Sequence, residues 1–98
     1  MRFRFADNKL EKLYTEEKGA HKYPLGVVDA FFEVMNVIDS AADERDLYAL
    51  KSLHYEKLRG PRSHQRSLRL NRQFRLIIEK GNDENGEFLW IVRIEDYH

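Results

Sequence analysis

The chain predicts an α+β fold: a short N-terminal strand and two to three helices packed on an antiparallel sheet of about four strands. Three observations carry this. Apolar residues recur with a helical period through the first half and with a period of two from Ser67 onward. Arg72-Gln73 and the run from Gly81 to Gly86 cut the second half into strand-sized pieces. Helices followed by a meander is the order of an α+β domain.

Arg2-Phe3-Arg4-Phe5 alternates and reads as a strand with both phenylalanines on one face. Asp7 or Asn8 can cap the next helix, whose Leu10, Leu13 and Tyr14 sit at helical spacing and which Gly19 ends. Pro24 suits a first helical turn, and the helix it opens extends to about Ala42. Val27, Val28, Phe31, Met35 and Ile38 form its core-facing stripe. A short third helix fits Glu44 to Leu50. Ser67 to Asn71, Phe74 to Ile78 and Phe88 to Ile94 then read as strands.

Successive strand residues point to opposite faces. Phe74, Leu76 and Ile78 should therefore meet the helices, and Phe88, Trp90, Val92 and Ile94 should share one face, with Trp90 in the core. Arg69, Arg75, Arg93 and Tyr97 would then gather on the open face.

Ninety-eight residues at 42% apolar and 35% charged describe one globular domain spanning residues 1–98. No apolar run is long enough for a membrane span or a signal peptide, and there is no cysteine, so the cytoplasm is the expected compartment. The four histidines have no metal-ligand spacing, and no cofactor is expected. The net charge of zero hides an asymmetry: residues 51–80 carry nine Lys/Arg against two Asp/Glu, an excess of seven. Such a local excess fits a polyanionic partner, or a solvated basic face answering the acidic first half.

From Leu58 onward the sequence resembles the HigB-type toxins, the plasmid-maintenance killer proteins of the RelE/ParE superfamily. The residues that carry the resemblance are Leu58-Arg59-Gly60, Ser67-Leu68-Arg69-Leu70-Asn71, Gln73-Phe74-Arg75 and Asp96-Tyr97-His98, in order and at the family's spacing. The resemblance implies a microbial-RNase-like fold, ribosome-dependent cleavage of mRNA, and a HigA-like helix-turn-helix antitoxin, the complex being expected as a heterotetramer. Many relatives carry a histidine three residues before the Lys/Arg of the Leu-Lys-Gly element. Here that place holds Glu56, and His54 stands two residues earlier, roughly 6.6 Å away on a regular strand.

Cleaving RNA without a metal requires a base at the 2′-hydroxyl, cations on the phosphate and an acid at the leaving oxygen. His98 is the expected acid/base residue, Asp96 its orienting carboxylate and Tyr97 a base-stacking or phosphate-donating group. Arg75 is the expected cation on the scissile phosphate, or else a partner of Glu79 or Glu95. His54 is a further catalytic candidate. Lys57, Arg59, Arg62, Arg66, Arg69 and Arg93 are the expected RNA contacts. His21 and His64 read as surface residues. The alternatives are a ParE-like toxin that inhibits a protein target such as DNA gyrase, and a degenerate member that only binds its antitoxin.

Overall fold

The computed structural model describes residues 1–97, so the expectation placed on His98 lies outside the described residues. The elements run β1 (Phe3–Phe5), α1 (Asn8–Glu16), α2 (Val27–Ser40), α3 (Glu44–Ala49), β2 (Glu56–Lys57), β3 (Gln65–Arg69), β4 (Phe74–Asp83) and β5 (Gly86–Asp96). The strands lie in the order β1-β5-β4-β3-β2. The last four pair antiparallel, as expected, and β1 adds to β5 in parallel. No helix among the described residues is long and apolar enough to cross a membrane.

The helices cover one face of the sheet. Phe31, Met35 and Ile38 of α2, with Leu10 and Leu13 of α1, pack in one buried cluster with Leu68, Leu76, Ile78, Leu89 and Ile91. Removing any of these large side chains would cost about 2–5 kcal/mol, transfer and cavity terms together.

Element ends differ from the sequence reading for local reasons. Helix α1 stops at Glu16, before Gly19, because Glu17 adopts the left-handed region (φ 55°). Its N–H returns to the Leu13 carbonyl at 3.0 Å, and that of Lys18 to Lys12 at 3.3 Å, which closes the helix. Helix α2 begins at Val27 rather than near Pro24, with Gly26 at φ 88° as its cap. The short edge strand β2 has no counterpart in the sequence reading. Strands β4 and β5 run on to a two-residue connection, Glu84-Asn85, so Gly81 is a strand residue and not part of a turn. It is glycine because the Phe88 ring lies over it: a Cβ there would stand 2.5 Å from that ring.

The largest correction concerns β5. Ile77 pairs with Arg93 and Ile78 with Ile91, leaving Val92 as an extra residue in a β-bulge. A bulge reverses the alternation. Leu89, Ile91 and Ile94 consequently all pack toward the helices. Phe88 and Trp90 fall on the other face, where the Arg4 guanidinium lies 4.3 Å from the Phe88 ring centre and 6.0 Å from that of Trp90. Trp90 is thus not a core residue. Arg93 and Tyr97 lie beyond the bulge and keep the open face.

Candidate active site

The turn between β3 and β4 sets the register of the open face. Asn71 closes it: its Oδ1 accepts from the N–H groups of Gln73 (2.8 Å) and Phe74 (2.7 Å). That places Arg69 opposite Arg75, and Arg75 opposite Glu95 of β5.

Arg75 is the centre of the site. Only 17% of its side chain is exposed. One guanidinium nitrogen donates to the His54 carbonyl at 3.1 Å and lies 3.5 Å from the Ser67 hydroxyl; the other donates to Glu56 at 3.4 Å. The Tyr97 ring centre is 5.6 Å from its Cζ, within cation–π range. The expected ion partners Glu79 and Glu95 are replaced by Glu56. A phosphate could displace these contacts readily, because two are long and Glu56 is 56% exposed.

His54 is not on a regular strand. It caps a short 3-10 turn, Lys51–Leu53, in the left-handed region (φ 47°). Backbone held there in a non-glycine residue costs of order 1–3 kcal/mol. The consequence is that strand spacing does not govern its position, and its ring Nε2 comes 3.3 Å from Arg69 Nη1. A guanidinium only donates, so this contact is a hydrogen bond when Nε2 is free to accept.

Gln73 holds the segment leading to His98. Its side-chain amide donates to both Asp96 carboxylate oxygens, at 3.1 and 3.2 Å, and its carbonyl accepts from the Tyr97 N–H. Beside Tyr97 opens a cavity of about 480 Å³ lined by Glu56, Lys57, Leu58, Arg59, Arg62 and Tyr97. Lys57 and Arg59 form no ion pair among the described residues and give this cavity its uncommitted positive charge.

Other expected RNA contacts are already paired. Arg62 grips Glu95 with two bonds of 2.9 Å and donates to Gln65 at 3.0 Å. Arg93 donates to the same Glu95 at 3.0 Å. The Arg62 hydrogen bonds, reinforced by Arg93, hold the Glu95 carboxyl below its ordinary range against the opposing effect of burial. Arg66 is turned away altogether. It shares the parity of Leu68, so it lies on the helix side, where its Nε donates to Glu44 at 3.1 Å. Glu44 also accepts from the Tyr55 hydroxyl (2.6 Å) and Lys80 (3.3 Å). Burial alone would raise the Glu44 carboxyl; the Tyr55 hydrogen bond, Lys80 and Arg66 outweigh it and lower it. Burial, then Glu44, pushes the Tyr55 hydroxyl well above its usual value.

The sequence reading missed Ser67, Gln65 and Gln73 as site residues; it named Glu56 at the family's histidine place and Glu95 as a possible partner of Arg75, but neither in the role the structure gives it. Strand parity could have found Ser67, two residues before Arg69 on the same face. His64 is a surface residue, 3.9 Å from Glu79. No group of three or more His, Cys, Asp or Glu that could hold a metal ion occurs among the described residues.

Residues 3–92 match the family model described as the RelE-like toxin of the type II toxin–antitoxin system HigB. This chain belongs to the HigB-like toxins. It is 32% identical to Toxin HigB-1 of Vibrio cholerae serotype O1 over 79 residues, covering 81% of this chain and 83% of the relative. Two solved structures of low identity share the fold. A YoeB/ParE toxin from Agrobacterium tumefaciens aligns at TM-score 0.59 and 12% identity over the whole of both chains. YafQ from E. coli strain BL21(DE3) aligns at 0.59 and 10%, covering 98% of this chain and 93% of its own. The toxin–antitoxin membership agrees with the resemblance read from Leu58 onward, and the model match extends it through the helices to Phe3.

Proposed function

We propose that this type II toxin is a ribosome-dependent endoribonuclease that cuts translated mRNA in the cytoplasm. The observation that carries the reading is the convergence of Arg75, Tyr97, the His54–Arg69 pair and the Lys57/Arg59 cavity on one face of the sheet. In the proposed reaction the 2′-oxygen attacks the adjacent phosphorus and the bond from phosphorus to the 5′-oxygen breaks. The products are a 2′,3′-cyclic phosphate and a free 5′-hydroxyl. One imidazole takes the 2′-hydroxyl proton and an acid returns a proton to the departing 5′-oxygen. His98 and His54 are the proposed acid/base groups, with Asp96 orienting His98. Arg75 would take the non-bridging oxygens as negative charge spreads over them, and Tyr97 would stack on a neighbouring base. Lys57 and Arg59 would hold flanking phosphates.

A HigA-like helix-turn-helix antitoxin, in a heterotetrameric complex, is the proposed partner. A structural relative of this chain was solved as the YoeB-YefM complex from Staphylococcus aureus, at TM-score 0.55 and 19% identity, covering 100% of this chain and 97% of that one. The Glu56 carboxylate on Arg75 favours the alternative, a ParE-like toxin acting on a protein such as gyrase, since it occupies a cation that cleavage needs.

Primer extension on mRNA from induced cells separates the two. Breaks that require translation and vanish with His98→Ala support the nuclease; growth arrest with intact message and inhibited gyrase would reject it.

A further inference from the structure

Trp90 and the carboxylate beside it belong to a part of the open face that the reaction above does not use. Trp90 stands on β5 between Arg4 of β1 and Glu79 of β4, its neighbours in the sheet. Its ring is braced edge-on by Phe88, with centroids 5.1 Å apart at 73°, and the Arg4 guanidinium lies 6.0 Å from its centre. The helices cover the other face. Half-buried, the indole helps to line a cavity of about 350 Å³ with Ala6, Glu79 and Val92.

The cavity offers two chemical features. Its apolar part is a large aromatic face, the kind of surface on which a nucleobase stacks. Its polar part is an acceptor left with spare capacity. Glu79 Oε2 accepts from Gln65 at 2.9 Å and has His64 3.9 Å away, whereas Oε1 has no partner among the described residues. Gln65 is buried and is itself held by Arg62 at 3.0 Å, so it fixes the carboxylate in place. A carboxylate repels phosphate and accepts from N–H groups, which suits it to a base rather than to the backbone.

We propose that the Trp90 cavity is a subsite for a guanine base of the message strand, with Trp90 as the stacking face and Glu79 as the acceptor. The proposal rests on the nuclease reading above and deepens it by naming a base. Guanine alone carries two adjacent donors, N1–H and N2–H, on its pairing edge, and these match a carboxylate; the other bases set an acceptor beside each donor. The cavity is also joined to the candidate active site. Glu79 lies four residues beyond Arg75 on β4 and shares its facing, about 13 Å away at about 3.3 Å per residue. Hydrogen bonds through Gln65 and Arg62 link Glu79 to the wall of the Tyr97 cavity. That separation is within about four nucleotides of a stacked strand, at about 3.4 Å each.

The test is fluorescence anisotropy with short 2′-O-methyl oligouridines, which lack the attacking hydroxyl and stay uncut, carrying guanine, adenine or cytosine at alternate positions. The full-length toxin should bind the guanine oligomer at least about fivefold more tightly than the others. Glu79→Gln should bind all of them alike, with its affinity for plain oligouridine unchanged. Trp90→Ala should weaken every oligomer about tenfold, and Trp90→Phe, which keeps a ring, should retain most of the affinity. If Trp90→Ala fails to fold, Glu79→Gln still decides. In induced cells the breaks made by the parent should have guanine enriched within about four nucleotides, and those made by Glu79→Gln should not. Absence of a guanine preference in the parent, or the same preference in Glu79→Gln, would overturn the subsite and leave the nuclease reading standing. A guanine preference in binding with message left intact in cells would remove the nuclease reading and, with it, the message strand as the occupant.

Discussion

Arg66 and Arg75 stand on neighbouring strands, β3 and β4, and are almost equally hidden, with 16% and 17% of their side chains exposed. They point to opposite faces of the sheet and have different company. Arg66 meets Glu44, itself 19% exposed and bound at the same time by Tyr55 and Lys80. Arg75 meets a backbone carbonyl, a distant hydroxyl and an exposed carboxylate at 3.4 Å. Arg66 is locked in a shared network, whereas Arg75 is held where it is by contacts that a phosphate could replace. Equal burial and equal charge thus produce a structural residue in one place and an available one in the other. The quality of the competing partner separates them.

The helix-side network offers the largest expected effect on stability. Glu44→Ala leaves the Tyr55 hydroxyl without its acceptor and Arg66 and Lys80 without their counter-charge, in a half-closed site. A loss of about 2–3 kcal/mol in unfolding free energy is expected, read by urea melts, with cleavage per folded molecule unchanged. A loss under about 0.5 kcal/mol would remove the distinction between the two arginines.

Acid should act more gradually, on the paired carboxylates of both faces. Glu44 and Glu95 have folded-state pKa values lowered from 4.5, and Asp83, hydrogen-bonded first of all by Arg2, drops from 3.8 to about 2. For a carboxyl whose pKa is depressed by folding, the stabilisation is complete above its unfolded pKa and is lost as pH falls toward the folded one. The urea midpoint should therefore be flat near neutrality and fall below about pH 4.5, down to about pH 2. In Glu44→Ala the fall should be shallower.

The smallest expected effect lies on the open face. Glu56→Gln frees Arg75 from an exposed partner, so stability should change by less than about 1 kcal/mol. Affinity for a short single-stranded RNA, followed by fluorescence anisotropy at low salt, should rise a few-fold. Weaker binding would mean that Glu56 positions Arg75 rather than competing for it.

Much of this architecture was legible in the sequence, and the exceptions have physical causes. The stripe Val27, Phe31, Met35, Ile38 announced α2, because a long amphipathic period is hard to produce by accident. The faces of Arg69 and Arg75 followed from parity, because β3 and β4 pair without interruption. Trp90 was misplaced because one extra residue at Val92 reverses the alternation, and a bulge has no composition of its own. The count of nine basic residues in 51–80 overstated the free charge for another reason. Glu44, far upstream, pairs with Arg66 and Lys80, and Glu95, far downstream, pairs with Arg62. His54 is displaced only if it is imagined on a strand; its left-handed backbone delivers the ring to Arg69.

The most direct test crosses the two arginines in one experiment: Arg75→Gln and Arg66→Gln, each measured for cleavage of a translated message and for thermal unfolding. Arg75→Gln should lower the cleavage rate by about 10²–10³ and leave the melting temperature within a few degrees. Arg66→Gln should lower the melting temperature and leave the cleavage rate of the folded protein intact. Full cleavage by Arg75→Gln, or a loss of cleavage with Arg66→Gln at temperatures where it stays folded, would contradict the assignment.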